Sequence, residues 1–407
     1  MTKPDHRDVV DRLVRRQRSR LVAQLLARFG SQHLTLIEDA TQDAIVSALE
    51  HWMFDGVPDN PGAWLHRVSS NRAIDLLRKI KPELPYDVDF DTRFDETDRR
   101  DPELHLLLLC CQQGISALDQ HLLMLNLVLG LTHQEVANLT LSSTARISQR
   151  LARAKRKLKR GQVPDIDRSA EPQMGSAEID TLAQTIYTSF NIGYFPRQGE
   201  QLIRQDVARE ALRLAETIAT DPRLNQNESG SFYALSALLS FQASRFAARE
   251  DTSGHPVLFV DQDRGLWDYQ LIERGNEFLL KSRAVSQISP FHLEAAIAAL
   301  HVNLERTDWN AIDSLYESLL RIKATPGIRI SAAVAKTHNH QPDAALQALE
   351  KLEQDFDLKN YAPLHLARAE ALRKLGHEEQ AKAALDQALC SENSLPISKL
   401  IMQKRTQ

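Results

Sequence analysis

Apolar residues recur at three- and four-residue intervals along most of the chain, which is the pattern of amphipathic helices. In the first 80 residues the pattern predicts helices over 8–29, 36–52 and 63–79. Gly30 ends the first helix, and the Pro- and Gly-rich segment 54–62 is predicted to be a loop. Two further apolar helices are predicted between residues 104 and 129, one over 105–118 and one over 119–129. The rest of the chain has few strand-like runs. The predicted fold class is all-α.

Residues 131–160 predict two short helices joined by a tight turn. Thr132 suits an N-cap, and the polar residues 140–142 interrupt the helical periodicity. The second helix has an apolar stripe, predicted to be Ala145, Ile147, Leu151, Ala154 and Leu158. It is strongly basic and contains no acid after Ser142. This arrangement is typical of a helix-turn-helix.

The basic helix favours duplex DNA as a partner. A helix face that is merely solvated, which is the alternative, would normally interleave Glu with Lys at four-residue spacing. Small polar residues at the start of the helix suit base edges and phosphates. The candidate DNA-binding residues are Ser143, Thr144, Arg146, Gln149, Arg150, Arg153, Lys155 and Arg156. Arg146, Gln149 and Arg150 are expected near base edges, and Arg153, Lys155 and Arg156 nearer phosphates.

The charge distribution agrees with this interpretation. The net charge is −4 overall, but residues 1–160 hold 24 Lys and Arg against 21 Asp and Glu, whereas the remainder is net −7. No apolar run approaches the roughly 20 residues that span a bilayer, so we expect no membrane partner and a cytoplasmic location. The three cysteines, Cys110, Cys111 and Cys390, predict core packing rather than disulfides or zinc ligands.

The order of these segments resembles a bacterial RNA polymerase sigma factor of the extracytoplasmic-function group. The resemblance rests on EDATQDAIVSALEHW, on PGAWLHRVSSNRAIDLLRK and on the basic helix-turn-helix that follows. It implies a region 2 domain over 1–80, an acidic flexible linker over 81–103 and a region 4 domain over 104–161 that reads the minus-35 element. The linker holds nine acids.

The resemblance also implies partners and roles for individual residues. Core RNA polymerase would be bound through its beta-prime coiled coil and beta flap, and promoter DNA would be the second partner. The acidic face of helix 36–52 comprises Glu38, Asp39, Gln42, Asp43 and Ser47, and among these Asp39, Gln42 and Asp43 would dock on the polymerase. Trp64, Asn71, Arg72 and Arg78 would face the melted minus-10 strand beside the loop 55–61. Taken alone, Trp64 fits a core position better than a stacking platform.

Residues 178–407, after a linker over 162–177, predict a helical-repeat domain. Ala-rich helices recur there, and 361–390 fits tetratricopeptide spacing at Ala367, Ala371, Leu375, Gly376, Ala381 and Ala388. The segments NIGYFP and FVDQDRGLWDYQLIERG resemble the extension of sigma factors that carry a fused tetratricopeptide-like domain. With that domain on its own chain, the protein would need no separate anti-sigma factor.

The residues predict no covalent chemistry. The chain has no phosphate-cradling glycine loop and no nucleophile motif, and no cofactor or metal is expected. Asp261, Asp263, Arg264 and Asp268 form a cluster that suits helix capping and ion pairing better than metal binding or catalysis. The sequence therefore predicts a promoter-specificity subunit of RNA polymerase. The alternative is a helix-turn-helix regulator with a fused helical sensor, and an enzyme with a DNA-binding appendage is the weakest hypothesis.

Overall fold

The computed structural model describes residues 6–80, 102–111, 114–140, 142–160, 176–194, 205–251, 256–257, 259–303, 307–391 and 395–406. Within these ranges the chain is built from helices, and its extended pairing is limited to one isolated bridge between Glu250 and Pro256. The all-α prediction is confirmed. The chain divides into two compact units, Met1–Thr185 and Ile186–Gln407. In the described ranges no helix is long and apolar enough to cross a membrane.

The first unit contains seven helices and the start of an eighth within the described residues. They are α1 (His6–Phe29), α2 (Leu34–Asp55), α3 (Pro61–Ile80), α4 (Pro102–Cys110), α5 (Ala117–Leu123), α6 (His133–Leu139), α7 (Thr144–Arg160) and α8 (Ser176–Tyr194). A π-helical turn, Met124–Val128, continues α5. The division between the units falls within α8.

Two of the predicted boundaries in this unit are wrong. The helix predicted over 105–118 ends at Cys110, and Gly114 follows with φ 83°, a left-handed conformation that breaks a helix and favours glycine. The loop predicted over 54–62 is shorter, because α2 runs through Asp55 and α3 begins at Pro61. Pro61 suits a first helical position, and the Asn60 side chain accepts a hydrogen bond from Ala63 N at 3.0 Å. The predicted linkers lie almost wholly outside the described residues.

The core of the first unit forms where α1, α2 and α3 pack together. Leu21, Ile45, Ala48, Trp52 and Leu65 make one buried cluster. The segments predicted as two separate domains also pack on one another, since α1 contacts α4 and α7 contacts the turn before α2. The adjacent cysteines Cys110 and Cys111 are buried, as predicted.

The second unit continues with ten more helices among the described residues. They are α9 (Gln205–Ala219), α10 (Gln226–Ala243), α11 (Tyr269–Lys281), α12 (Pro290–His301), α13 (Trp309–Ile322), α14 (Pro326–His338), α15 (Pro342–Asp355), α16 (Ala362–Lys374), α17 (Glu378–Ser391) and α18 (Leu395–Thr406). From α12 onward each helix packs on the next, which is the arrangement of stacked helical hairpins.

Helix α10 is the centre of the second unit. It packs against α9, α11 and α12, and its Phe232 and Phe241 side chains are fully buried. Gly275 of α11 lies against the Phe241 ring so closely that an added Cβ would meet ring atom Cε1 at 2.6 Å. A small residue therefore sets the spacing of α10 and α11.

The predicted hairpin over 361–390 is confirmed as α16, a turn and α17. Ala367, Ala371, Ala381 and Ala388 are buried, and Gly376 in the turn has φ 78°. The expectation for Cys390 is wrong. Its side chain is exposed, because it lies on the outer face of α17, two residues after the buried Ala388.

Candidate nucleic-acid and polymerase surfaces

Local capping builds the helix-turn-helix. Thr132 and Glu135 form a reciprocal capping pair: Glu135 Oε2 accepts from Thr132 N at 2.8 Å, and Thr132 Oγ1 accepts from Glu135 N at 3.2 Å. Ser143 Oγ accepts a hydrogen bond from Arg146 N at 3.3 Å at the start of α7. The predicted N-cap at Thr132 and the tight turn are both present, so the two helices are held in a fixed relation.

Most of the predicted apolar stripe of α7 is buried. Ile147, Leu151, Ala154 and Leu158 pack into the first unit, each at most 3% exposed. Ala145 is exposed, contrary to the prediction. It lies two residues before Ile147, a spacing that places it away from the buried side of the helix. The buried side fixes which of the basic residues face solvent.

Four polar side chains of α7 form one exposed row, which we call the basic stripe: Arg146, Gln149, Arg153 and Arg156. Their three- and four-residue spacing places them along one side of the helix. Arg156 Nε donates to Ala152 O of its own helix at 3.3 Å, and the side chain is exposed. The basic stripe therefore presents three cations and an amide on a continuous surface.

Two predicted DNA-binding cations are instead engaged inside the unit. Arg150 Nε donates to Asp119 Oδ1 at 2.6 Å. Burial raises the pKa of Asp119, but hydrogen bonds from Arg150 and Ser116 outweigh it and the net shift is downward. Lys155 Nζ donates to Glu38 Oε1 at 2.7 Å, with both side chains about 15% exposed or less. Lys155 lies nine positions after Arg146, about half a turn around the helix from the basic stripe.

The small polar residues at the start of α7 have local partners. Thr144 Oγ1 donates to Gln134 Oε1 at 2.6 Å, which links α7 to α6. Ser143 is exposed while it caps the helix. Both residues lie at the same end of α7 as Arg146. The structure thus brings Ser143, Thr144 and the basic stripe to one surface, with Arg150 beside it and Lys155 about half a turn away around α7.

Glu38 joins three helices that the sequence places in two domains. Its carboxylate accepts from Lys155 of α7 and lies 3.7 Å from Arg18 Nη2 of α1. Arg18 also donates through Nη1 to the backbone oxygen of Asn126 at 3.0 Å. The prediction that Glu38 lies on the exposed face of α2 is wrong for this residue, because its carboxylate is about 15% exposed and pairs with Arg18 of α1 and Lys155 of α7. The pairing of residues 117 positions apart has no signal in local periodicity.

The predicted docking residues of α2 form an exposed acidic surface. Asp39, Gln42 and Asp43 are all exposed and lie on one side of the helix. Asp43 Oδ2 accepts a hydrogen bond from Arg72 Nε of α3 at 2.6 Å, and both side chains are nearly half exposed. An exposed pair of this kind is worth about 0–1 kcal/mol. It leaves the carboxylate available to an external cation.

The residues predicted for the melted strand are spread along α3. Asn71 and Arg72 are exposed, and Arg78 is half-buried near the end of the helix. Trp64 is half-buried against the core, with its ring 5.5 Å from Trp52 in an edge-on arrangement. Much of the Trp64 side chain therefore packs in the core, which is the alternative to a stacking role.

An exposed aromatic side chain near these residues is absent from the predicted site. Phe54, at the end of α2 beside the loop 56–60, is 89% exposed. An exposed phenyl ring next to a loop can stack on an unpaired base. The signal was present in the sequence as an aromatic residue at the start of the Pro- and Gly-rich segment, but the composition of that segment assigned it to the loop.

The acidic cluster of the second unit caps helices. Asp263 Oδ1 accepts from Gly265 N at 2.8 Å, and Asp268 Oδ1 accepts from Leu271 N at 3.1 Å at the start of α11. Arg264 Nη1 donates to Asn303 O at 2.7 Å, and its guanidinium lies over Trp267. The capping interpretation is confirmed for Asp263 and Asp268. Within the described residues, His, Cys, Asp and Glu form no group of three that could hold a metal ion.

Comparison with known proteins gives the class of the first unit. Residues 13–82 match the family Sigma-70 region 2, which covers α1 to α3 and the acidic surface of α2. Residues 178–283 match a second family, described as a family of unknown function (DUF6596). The first match supports a sigma factor that acts in transcription initiation.

A relative that matches over most of its length defines the family. The chain is 34% identical over 373 residues to an uncharacterized protein of Rhizobium meliloti (strain 1021), and the match covers 88% of this chain and 86% of the relative. The protein belongs to the same family as this rhizobial protein, and the matched region is long enough to include parts of both units. No solved structure matched.

Proposed function

We propose that the protein is a sigma factor of the extracytoplasmic-function group with a tetratricopeptide-like second unit. It binds core RNA polymerase, directs transcription from particular promoters and is modulated by its own second unit. The observation that carries this proposal is the Sigma-70 region 2 match on the same compact unit as the basic helix-turn-helix.

Each surface has a role in this proposal. Asp39, Gln42 and Asp43 bind the beta-prime coiled coil of the polymerase, and the helix-turn-helix lies on the beta flap. The basic stripe, with Ser143 and Thr144, reads the minus-35 element. Phe54, Asn71, Arg72 and Arg78 face the melted minus-10 strand, with Trp64 supporting them from the core. The protein does no covalent chemistry of its own and acts in the cytoplasm.

A helix-turn-helix regulator with a fused sensor is the alternative function. It accounts for the basic stripe, but it needs no Sigma-70 region 2 and no exposed acidic surface on α2. A regulator occupies duplex operators by itself, whereas a sigma factor opens promoter DNA in the presence of core polymerase.

The test is promoter opening with purified components. We expect unpaired thymines near the start site, detected by permanganate, when the protein and core polymerase are both present. Neither component alone should give the signal. Site-specific binding to duplex DNA that is unchanged by polymerase, with no opening, would favour the regulator.

A further inference from the structure

A cavity of about 480 Å³ lies within the second unit, between α8, α10, α12, α13 and α14. This volume falls in the range of roughly 300–1,000 Å³ that is typical of small-molecule sites. Helices α10 and α12 face it with residues at helical spacing, which are Leu238, Phe241, Gln242 and Arg245 on α10 and Glu294, Ile297, Ala298 and His301 on α12. The cavity is therefore lined by regular, well-packed elements.

Four buried polar atoms on these walls have no hydrogen-bond partner among the described residues. They are Gln242 Oε1, Arg245 Nε, Glu294 Oε1 and His301 Nδ1. Glu294 Oε1 lies 3.9 Å from Lys323 Nζ, which is an ion-pair distance but too long for a hydrogen bond. Folded proteins leave few buried polar atoms unsatisfied, so four around one cavity require an occupant that pairs with them.

The charges on the walls indicate the chemistry of that occupant. Arg245 and Lys323 are cations, and Glu294 is the single carboxyl on the lining. Burial raises the pKa of Glu294, against the opposing effects of Lys323 and of a hydrogen bond from Tyr187. Burial lowers the pKa of His301 to about 4, so its ring is neutral at pH 7. The walls are net positive whether or not Glu294 is protonated.

The apolar part of the lining combines aromatic with aliphatic side chains. Phe241 is fully buried, and Tyr187 and Tyr316 border the polar groups. Burial raises the pKa of Tyr316 to about 12, so its ring carries no charge at neutral pH. A few polar groups on an apolar wall are the usual composition of a site for a small organic molecule.

We propose that this cavity binds a small organic acid that carries hydroxyl or amino groups. The anionic group pairs with Arg245 and Lys323, and the hydroxyl or amino groups donate to Glu294 and Gln242. The carbon skeleton packs against Phe241 and Tyr316. The inference is independent of the proposed function, because the cavity lies wholly in the second unit and its occupancy is measured without DNA or polymerase.

The test is ligand-dependent stabilisation of the full-length protein. The probe is D-gluconate at about 10 mM, which combines a carboxylate with hydroxyls. D-glucitol supplies hydroxyls without a carboxylate, and hexanoate supplies a carboxylate without hydroxyls. We expect gluconate to raise Tm by about 3 °C and each comparator to raise it by less than half as much.

Substitutions in the cavity lining test whether the gluconate-dependent rise in Tm arises at this site. Lys323→Met removes one of the two lining cations that pair with the anionic group and should abolish most of the gluconate shift. Gly327→Leu should do so as well, since Gly327 lines the cavity and an added Cβ there meets no atom within 4 Å. Arg321→Gln is the matched control, because Arg321 is exposed on α13 and bonds Ser318 outside the lining. The proposal is overturned if gluconate acts no better than its comparators, which leaves water as the occupant, or if both lining variants keep the full shift.

Discussion

Lys155 and Arg153 are two residues apart on α7 but have different surroundings. Arg153 lies in the exposed basic stripe, whereas Lys155 is held by Glu38 below the surface. A cation that binds phosphate releases counterions, so its loss changes the salt dependence of DNA binding. A cation in a half-buried pair contributes to stability instead.

These two positions give a matched prediction. Arg153→Met should weaken binding to duplex DNA of any sequence and reduce the slope of log K against log salt by about 1. Lys155→Met should leave that slope unchanged and lower the free energy of unfolding by about 1–3 kcal/mol, because the Glu38 carboxylate loses its donor. Fluorescence anisotropy and urea denaturation measure the two effects. Equal changes in salt slope from both variants would show that Lys155 also reaches phosphate.

His121 of α5 gives a prediction about pH. Burial lowers the pKa of its imidazole to about 4, from the ordinary value near 6.5. Between about pH 6.5 and 4, His121 is therefore protonated in the unfolded chain and neutral in the folded chain. The free energy of unfolding falls as pH drops through this interval. His121→Gln should lose roughly 3 kcal/mol less than the unmodified protein over this interval, as measured by urea denaturation. Parallel pH profiles of the two proteins would mean that His121 can protonate in the folded state.

At the scale of elements, periodicity predicts the helices but not their partners. The buried stripe of α7 follows from its spacing, and the hairpin of α16 and α17 follows from small residues around Gly376. The Glu38–Lys155 contact joins distant segments, and the cavity is made by faces of five helices. Neither has a local signal, because each depends on how helices distant in the sequence pack.

The contact of α10 with α11 is tested at Gly275. Gly275→Ala would place a methyl group against the fully buried Phe241 ring and should lower the free energy of unfolding by about 1–3 kcal/mol. Gly327→Ala is the matched control, since it meets open space in the first turn of α14 and should be neutral or slightly stabilising. If the two substitutions had the same effect in chemical denaturation, close packing at Gly275 would not limit the helix spacing.

At the scale of the whole molecule, the second unit is covalently tied to the first and is present at high effective concentration. Its net negative charge is suited to masking the basic stripe, whereas docking on polymerase would make it an activator. The resemblance to sigma factors with a fused tetratricopeptide-like domain favours assistance. The sign of its effect on transcription separates these hypotheses.

Truncation after Arg160 tests the role of the second unit. We expect the truncated protein to lose promoter activity in reconstituted transcription, while circular dichroism confirms that its helices remain. A gain in activity would indicate masking. Activity, polymerase affinity and salt dependence equal to those of the full-length protein would exclude both forms of control.

Association with core RNA polymerase after charge reversal on α2 tests the polymerase-docking surface most directly. Asp39→Lys combined with Asp43→Lys should abolish co-purification at moderate salt, because both carboxylates are exposed on one side of the helix. The control is Asp343→Lys with Glu350→Lys, which makes the same change in net charge on exposed positions of α15. We predict that the control binds polymerase as the unmodified protein does. Normal binding by the α2 variant would contradict the assignment of this surface as the polymerase-docking site.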